Sequence, residues 1–250
     1  MKGRGGSVLA AQQLEAYPPI MTQQLLLSVI EQLKLPLLHI ARQAELGKQT
    51  ADTGDLAAIQ ATADVALRLL DNYLLGVQLA GRRTVTFDVE PVSIPSALYE
   101  AGTQLGPLAE NYGVRLDIRI EGKYGPVMAH RQGLQAAFVS LGSSLIEALP
   151  AMTEPSRLTL QLSAHRCRYG VVAGLYCEAP QLTAQALRQG RLLHGTARQP
   201  LGPWSHTSGA GVFVADALLH AMRARLTATR WRRLYGLGTV LSLNPQLQLV

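Results

Sequence analysis

The chain has 250 residues, 48% of them apolar and 16% charged, which excludes a disordered chain and is enough for one large domain or two small ones. Net charge is +6, a basic surface with weak attraction for anions, and nucleic acid is not an expected partner. The two cysteines form no CxxC pair, which excludes a cysteine-built zinc centre and fits a reducing compartment.

Residues 1–19 read as a loose leader, because Gly3, Gly5, Gly6 and Pro18-Pro19 disfavour regular structure. Two basic residues and a short apolar run do not make a signal peptide, and no stretch reaches the roughly 18 apolar residues of a membrane span. The expected location is cytoplasmic. From 20 to 47, Leu26, Ile30, Leu33, Leu37, Ile40 and Ala44 recur at alternating steps of four and three, a heptad seam on a helix. Thr22 would cap it, Pro36 would bend it and Gly47 would stop it. After a turn at 48–54, Leu56, Ile59, Ala63, Ala66, Leu70, Tyr73 and Val77 repeat the seam on a second helix, 55–79. Two such helices form an antiparallel hairpin. One hairpin alone leaves its seam in water, so two copies pairing as a four-helix bundle, a homodimer, are the natural way to bury it.

Beyond Gly81-Arg82-Arg83 the periodicity changes. Alternation predicts strands at 84–90, 114–120, 157–165, 170–178, 225–231 and 238–244. Helical periodicity predicts helices over Ile94–Tyr112, 130–149 and Gly211–Ala224, and 179–208 reads as a long irregular loop. The expected fold class is α+β, with a leader (1–19), a helical-hairpin dimerisation domain (20–80) and an α/β sandwich (81–250). Near the C-terminus Arg223, Arg225, Arg230, Arg232 and Arg233 cluster with Trp231, Arg230 and Arg232 sharing one strand face. The cluster reads as a charged strand edge that resists aggregation, or as a site for an anionic partner.

Several stretches in this order carry a resemblance. In the first helix, Glu31-Gln32-Leu33-Lys34-Leu35-Pro36-Leu37 resembles the phosphoacceptor box of sensor histidine kinases: Leu33, Lys34, Pro36 and Leu37 match, while Glu31 stands in the place of the histidine and Gln32 in that of the acid. A second stretch, from Ala129-His130-Arg131 to Ser140-Leu141-Gly142-Ser143-Ser144, is similar to the family's Mg²⁺ box, with Ser140 and Ser144 at the two asparagine positions, Ala129 at the leading aspartate and Glu147 where a basic residue is usual. In Cys177-Glu178-Ala179-Pro180-Gln181, Cys177 holds the position of the adenine-reading aspartate, or Glu178 does if the alignment shifts by one. Gly209-Ala210-Gly211 before a helix resembles the glycine-rich phosphate box, and Gly236-Leu237-Gly238 the closing turn before the last strand.

The resemblance covers about residues 20–245. It implies a dimerisation and phosphotransfer hairpin followed by an ATPase domain of the GHKL (Bergerat) type. Because the acceptor, the Mg²⁺-site asparagines and the adenine-reading acid are all replaced, it also implies a degenerate member that dimerises and binds partners, a response regulator or another signalling protein. No metal or cofactor is then expected, ATP and Mg²⁺ binding only if the altered site still holds them. Two other readings stand beside it: a phosphotransferase that uses His39, eight residues after Glu31, and a divergent active kinase. Among the remaining histidines, no HExxH or paired spacing points to a metal.

Overall fold

The computed structural model describes residues 87–154, 157–191 and 210–243, with isolated positions between 37 and 47 and between 59 and 74. Those isolated positions are helical on both sides of the expected turn, and Ala66 among them is buried. Gly47, the expected helix stop, is itself helical.

From residue 90 the elements run β1 (Glu90–Val92), α1 (Ile94–Asn111), β2 (Arg115–Glu121), β3 (Val127–Ala129), α2 (Arg131–Met152), β4 (Thr159–Cys167), β5 (Gly170–Cys177), α3 (Ala184–Arg191), α4 (Ala210–Ala221), β6 (Leu226–Trp231) and β7 (Leu234–Leu241). Five strands form one sheet in the order β2-β4-β5-β7-β6, parallel between β2 and β4 and antiparallel elsewhere. β1 and β3 pair antiparallel as a separate ribbon, which Met128 ties to the end of β7 by donating its N–H to the Ser242 carbonyl at 2.9 Å.

α1 forms because its apolar residues fall on one stripe. Ile94, Ala97, Leu98, Ala101, Leu105 and Leu108 are buried at helical spacing, after Ser93 at the N-cap. Pro107 lies inside it, and Gly106 before it has no Cβ to crowd the proline ring. The helix ends on Gly113 at φ 64°, a left-handed turn that suits glycine. α2 is buried nearly all round, from Leu134 to Met152, and is the central core helix. It is long and apolar enough to cross a membrane, but the α/β core surrounds it. Leu160, Leu162 and Ala164 of β4 and Val171, Ala173 and Leu175 of β5 complete this core on the helical face of the sheet.

The other face closes on itself. His165 of β4 stacks on Trp231 of β6 with ring centroids 3.4 Å apart and planes 12° apart, and Arg232 reaches Glu121 of β2 at 2.6 Å. These contacts bring the β6–β7 turn across the open face to the β2–β4 edge and bury Gln161, Ser163 and Tyr176 beneath it. Glycine makes the tight coil possible: a Cβ at Gly236 would overlap the Leu175 carbonyl oxygen, and one at Gly174 would sit 2.7 Å from that of Leu237.

Several boundaries differ from the sequence reading. The first described strand is Glu90–Val92, and 87–89 of the expected 84–90 lie outside it, since its partner β3 offers only three residues; 84–86 lie outside the described residues, and β3 itself was not foreseen. Gly236 and Gly238 lie inside β7, which starts at Leu234, where close approach of β5 requires them, and form no turn before a strand at 238. The loop expected over 179–208 contains α3, capped by Thr183, whose Oγ1 accepts from the Ala186 N–H at 3.2 Å. Arg232 is not on a strand face with Arg230. It occupies the β6–β7 turn at φ 56°, while Arg230 lies over the Tyr235 ring at 4.6 Å.

Candidate functional site

The site that the sequence points to lies where α2 meets the start of α4. Ser140 and Ser144 are one helical turn apart on α2, and both are fully buried. Ser143 donates its hydroxyl to the Ser140 carbonyl at 2.9 Å, a local bond that spends its polarity within the helix. Ser144 Oγ accepts from the backbone N–H of Gly211 at 3.1 Å. That amide is in the first turn of α4, among the N–H groups that a helix leaves without an internal partner and that can cradle an anion. Gly211 is glycine because nothing larger fits: a Cβ would overlap the Ser140 carbonyl oxygen and come within 2.5 Å of Ser144 Oγ. Ser140 Oγ has no hydrogen-bond partner among the described residues.

The remaining positions spread apart. Cys177 ends β5 on the helical face, buried in the core, and burial pushes its thiol up to about 12, with the Ala179 backbone pulling it down and the Glu178 charge pushing it further up. Cys177 and Cys167 are both free thiols. Glu178 is exposed and pairs with Arg157 at 3.3 Å. On α3, Arg188 is exposed, whereas Arg191 donates to Asp216 Oδ1 at 2.8 Å and to the Leu226 carbonyl at 2.6 Å, clamping α3 to α4 and β6. Glu147 neighbours Tyr112, whose hydroxyl is held far less acidic than usual by burial first and by that carboxylate second. Glu31, His39 and Gly209 lie outside the described residues. Among the described residues no three His, Cys, Asp or Glu side chains gather as metal ligands would.

Sequence reasoning placed the start of α2 at 130 but missed the role of His130 there. His130 caps that helix, its Nδ1 accepting from the Gly133 N–H at 3.0 Å, and its ring stacks on Phe87 at 4.3 Å. Phe87 in turn donates its N–H to the Ala221 carbonyl at 3.2 Å, which fixes the chain entering the α/β domain between α2 and α4. Histidine is not among the residues favoured at a helix N-cap, so the sequence carried no clear signal for this role.

No protein-family model matches the sequence, and no curated protein matches it either. Solved structures do. The chain is similar to the Acinetobacter baumannii histidine kinase AdeS over 85% of this chain and 97% of that one, at TM-score 0.50 and 12% identity. It is similar to full-length ShkA in complex with AMPPNP over 90% of this chain and 44% of that one, at TM-score 0.53 and 13% identity. It is also similar to the histidine kinase ThkA in complex with the response regulator protein TrrA, over 91% of this chain and 62% of that one, at TM-score 0.50 and 10% identity. The chain has the histidine-kinase catalytic fold. Residues 192–209, between α3 and α4, lie outside the described residues.

Proposed function

We propose that this chain is a histidine-kinase-like protein of a two-component system that acts by dimerising and binding a partner, and not by autophosphorylation. The observation that carries the reading is the bond between Ser144 and the Gly211 amide. The residues present do not suit Mg²⁺ and nucleotide phosphate. A hard octahedral cation takes oxygen ligands that reach into an open cavity, but the short Ser140 and Ser144 side chains are fully buried between two packed helices. The helix-end amide that would meet a phosphate is already spent on a serine. The core position of Cys177, and the solvent-facing pair of Glu178 with Arg157, leave the adenine edge without its carboxylate.

Dimerisation is supported by residues of the expected seam that this single chain leaves in water, Leu37 at 59% exposure and Leu70 at 37%. A response regulator is the partner class favoured, on the likeness to ThkA, which is seen with one. The test is incubation of the pure protein with Mg²⁺ and γ-labelled ATP. The expected result is no acid-labile label on the protein, with a dimer in sedimentation equilibrium. Acid-labile phosphate on the chain would overturn the reading.

A further inference from the structure

A groove of about 490 Å³ opens at the end of the sheet where β7 finishes and α4 turns into β6. Its floor is apolar, with Met128, Met222 and Leu241, and Val240 stands half-exposed at one side. Arg223 lines it in an unusual way. It terminates α4 at φ 58°, its N–H donating to the His220 carbonyl at 2.9 Å, followed by the Ala224 N–H donating to that of Leu219 at 2.9 Å. This is the left-handed helix end where glycine is the unstrained residue. The chain places an exposed arginine there instead.

Three more exposed arginines share this end of the sheet. Arg225 stands one step beyond the Leu226–Thr239 pair, beside Val240. Arg166 lies in the same cross-strand row as Leu241, through Val171. Arg168 lies over the Tyr169 ring at 5.7 Å in the β4–β5 turn, and Gly170 of that turn rests against Leu241 and Ser242. Elsewhere in the domain Arg119, Arg131, Arg157, Arg191 and Arg232 each meet an aspartate or glutamate, while Arg115, Arg188, Arg230 and Arg233 stand singly and away from the groove. Arg166, Arg168, Arg223 and Arg225 meet none among the described residues, and the acid in the groove lining is Asp88 alone.

We infer that this groove docks an acidic peptide segment of a partner protein, with an apolar side chain on the Met128–Met222 floor and carboxylates on Arg223, Arg225 and Arg168. Charge complementarity selects an acidic occupant, because unpaired guanidiniums at a concave site raise the local concentration of anions and form charge-assisted bonds with carboxylates. The recessed floor selects a peptide over a flat lipid surface. A second copy of this chain, carrying a net charge of +6, is a poor electrostatic match. The site lies apart from Ser144 and Gly211, so the inference stands independently of whether nucleotide binds.

The experiment measures anisotropy of a dye-labelled peptide of Glu and Leu on the full-length protein. Arg223→Gly suits the left-handed turn, so this variant folds at least as well as the parent. It is expected to bind the peptide about tenfold more weakly, Arg223→Gly/Arg225→Glu more weakly still, and affinity should fall as salt rises. Equal binding by the parent and the double variant, equal binding of a Lys-Leu peptide, or no peptide binding at all overturns the inference. Phosphatidylserine vesicles bound by the parent, and lost by the double variant without any peptide binding, would assign the patch to a membrane. Self-association lost in the double variant, again without peptide binding, would assign it to a second copy.

Discussion

Gly211→Ala tests the packing of α4 on α2. On an exposed helix this change stabilises by up to about 1 kcal/mol, because glycine has the greater backbone freedom to lose. At Gly211 the new methyl would overlap the Ser140 carbonyl oxygen, a backbone atom that cannot swing aside, and crowd Ser144 Oγ at 2.5 Å. Forcing one carbon into a packed core costs about 1–3 kcal/mol, and losing the Ser144–Gly211 hydrogen bond adds about 1 kcal/mol. Set against the helix gain, which is smaller in the first turn, the net expectation is a loss of about 2 kcal/mol. For a chain of this size that lowers Tm by about 4–8 °C. Urea unfolding followed by circular dichroism should show a lower midpoint at unchanged slope. Ser144→Gly in the same background should restore only part of the loss, since the Ser140 carbonyl remains. A midpoint that is unchanged or raised by Gly211→Ala would refute the close approach of the two helices, and with it the reasoning that nothing enters between them.

Two further outcomes follow from other contacts. Arg191→Ala removes a charge-assisted bond to Asp216 and one to the Leu226 carbonyl; with both side chains about a third exposed, the loss should be about 1–2 kcal/mol in the same urea assay. No change would show that α3 is not held by this clamp. His165 is held below its usual 6.5 by burial, against the opposing pull of Glu121. Trp231 stacks on its ring, Arg232 stands beyond paired to Glu121, and Val172 is its neighbour on β5. A depressed pKa means that the unfolded chain binds the proton more readily, so this contribution is full above 6.5 and is lost as pH falls from there through the folded value. Tm of the parent should therefore drop on acidification from neutral, and His165→Gln should flatten that part of the profile; parallel profiles for the two proteins would remove His165 as the cause.

The sequence alone placed α1, β2, α2, β4, β5, α4 and β6 to within a few residues, because each has a clear helical or alternating apolar pattern that decides its own backbone. It failed where local pattern and tertiary need diverge. Phe87, Asp88 and Val89 belong to a stretch that alternates well, but the strand extends only as far as its partner, and β3 is three residues long. α3 is eight residues, mostly polar, and what holds it is Arg191 reaching Asp216 and β6. Gly236 and Gly238 have the look of a turn when read along the chain; across the sheet they are the room that lets β5 and β7 approach.

The candidate site divides in the same way. The spacing of Ser140, Ser144 and Gly211 was visible in the sequence. That Ser144 and Gly211 satisfy each other, across 67 residues of chain, was not. Sequence fixes which groups are available and how each element presents them, since periodicity and residue chemistry are local. Which groups end up within hydrogen-bond reach depends on how two helices and five strands pack, and at Gly211 that distance is set by the absence of a single carbon atom.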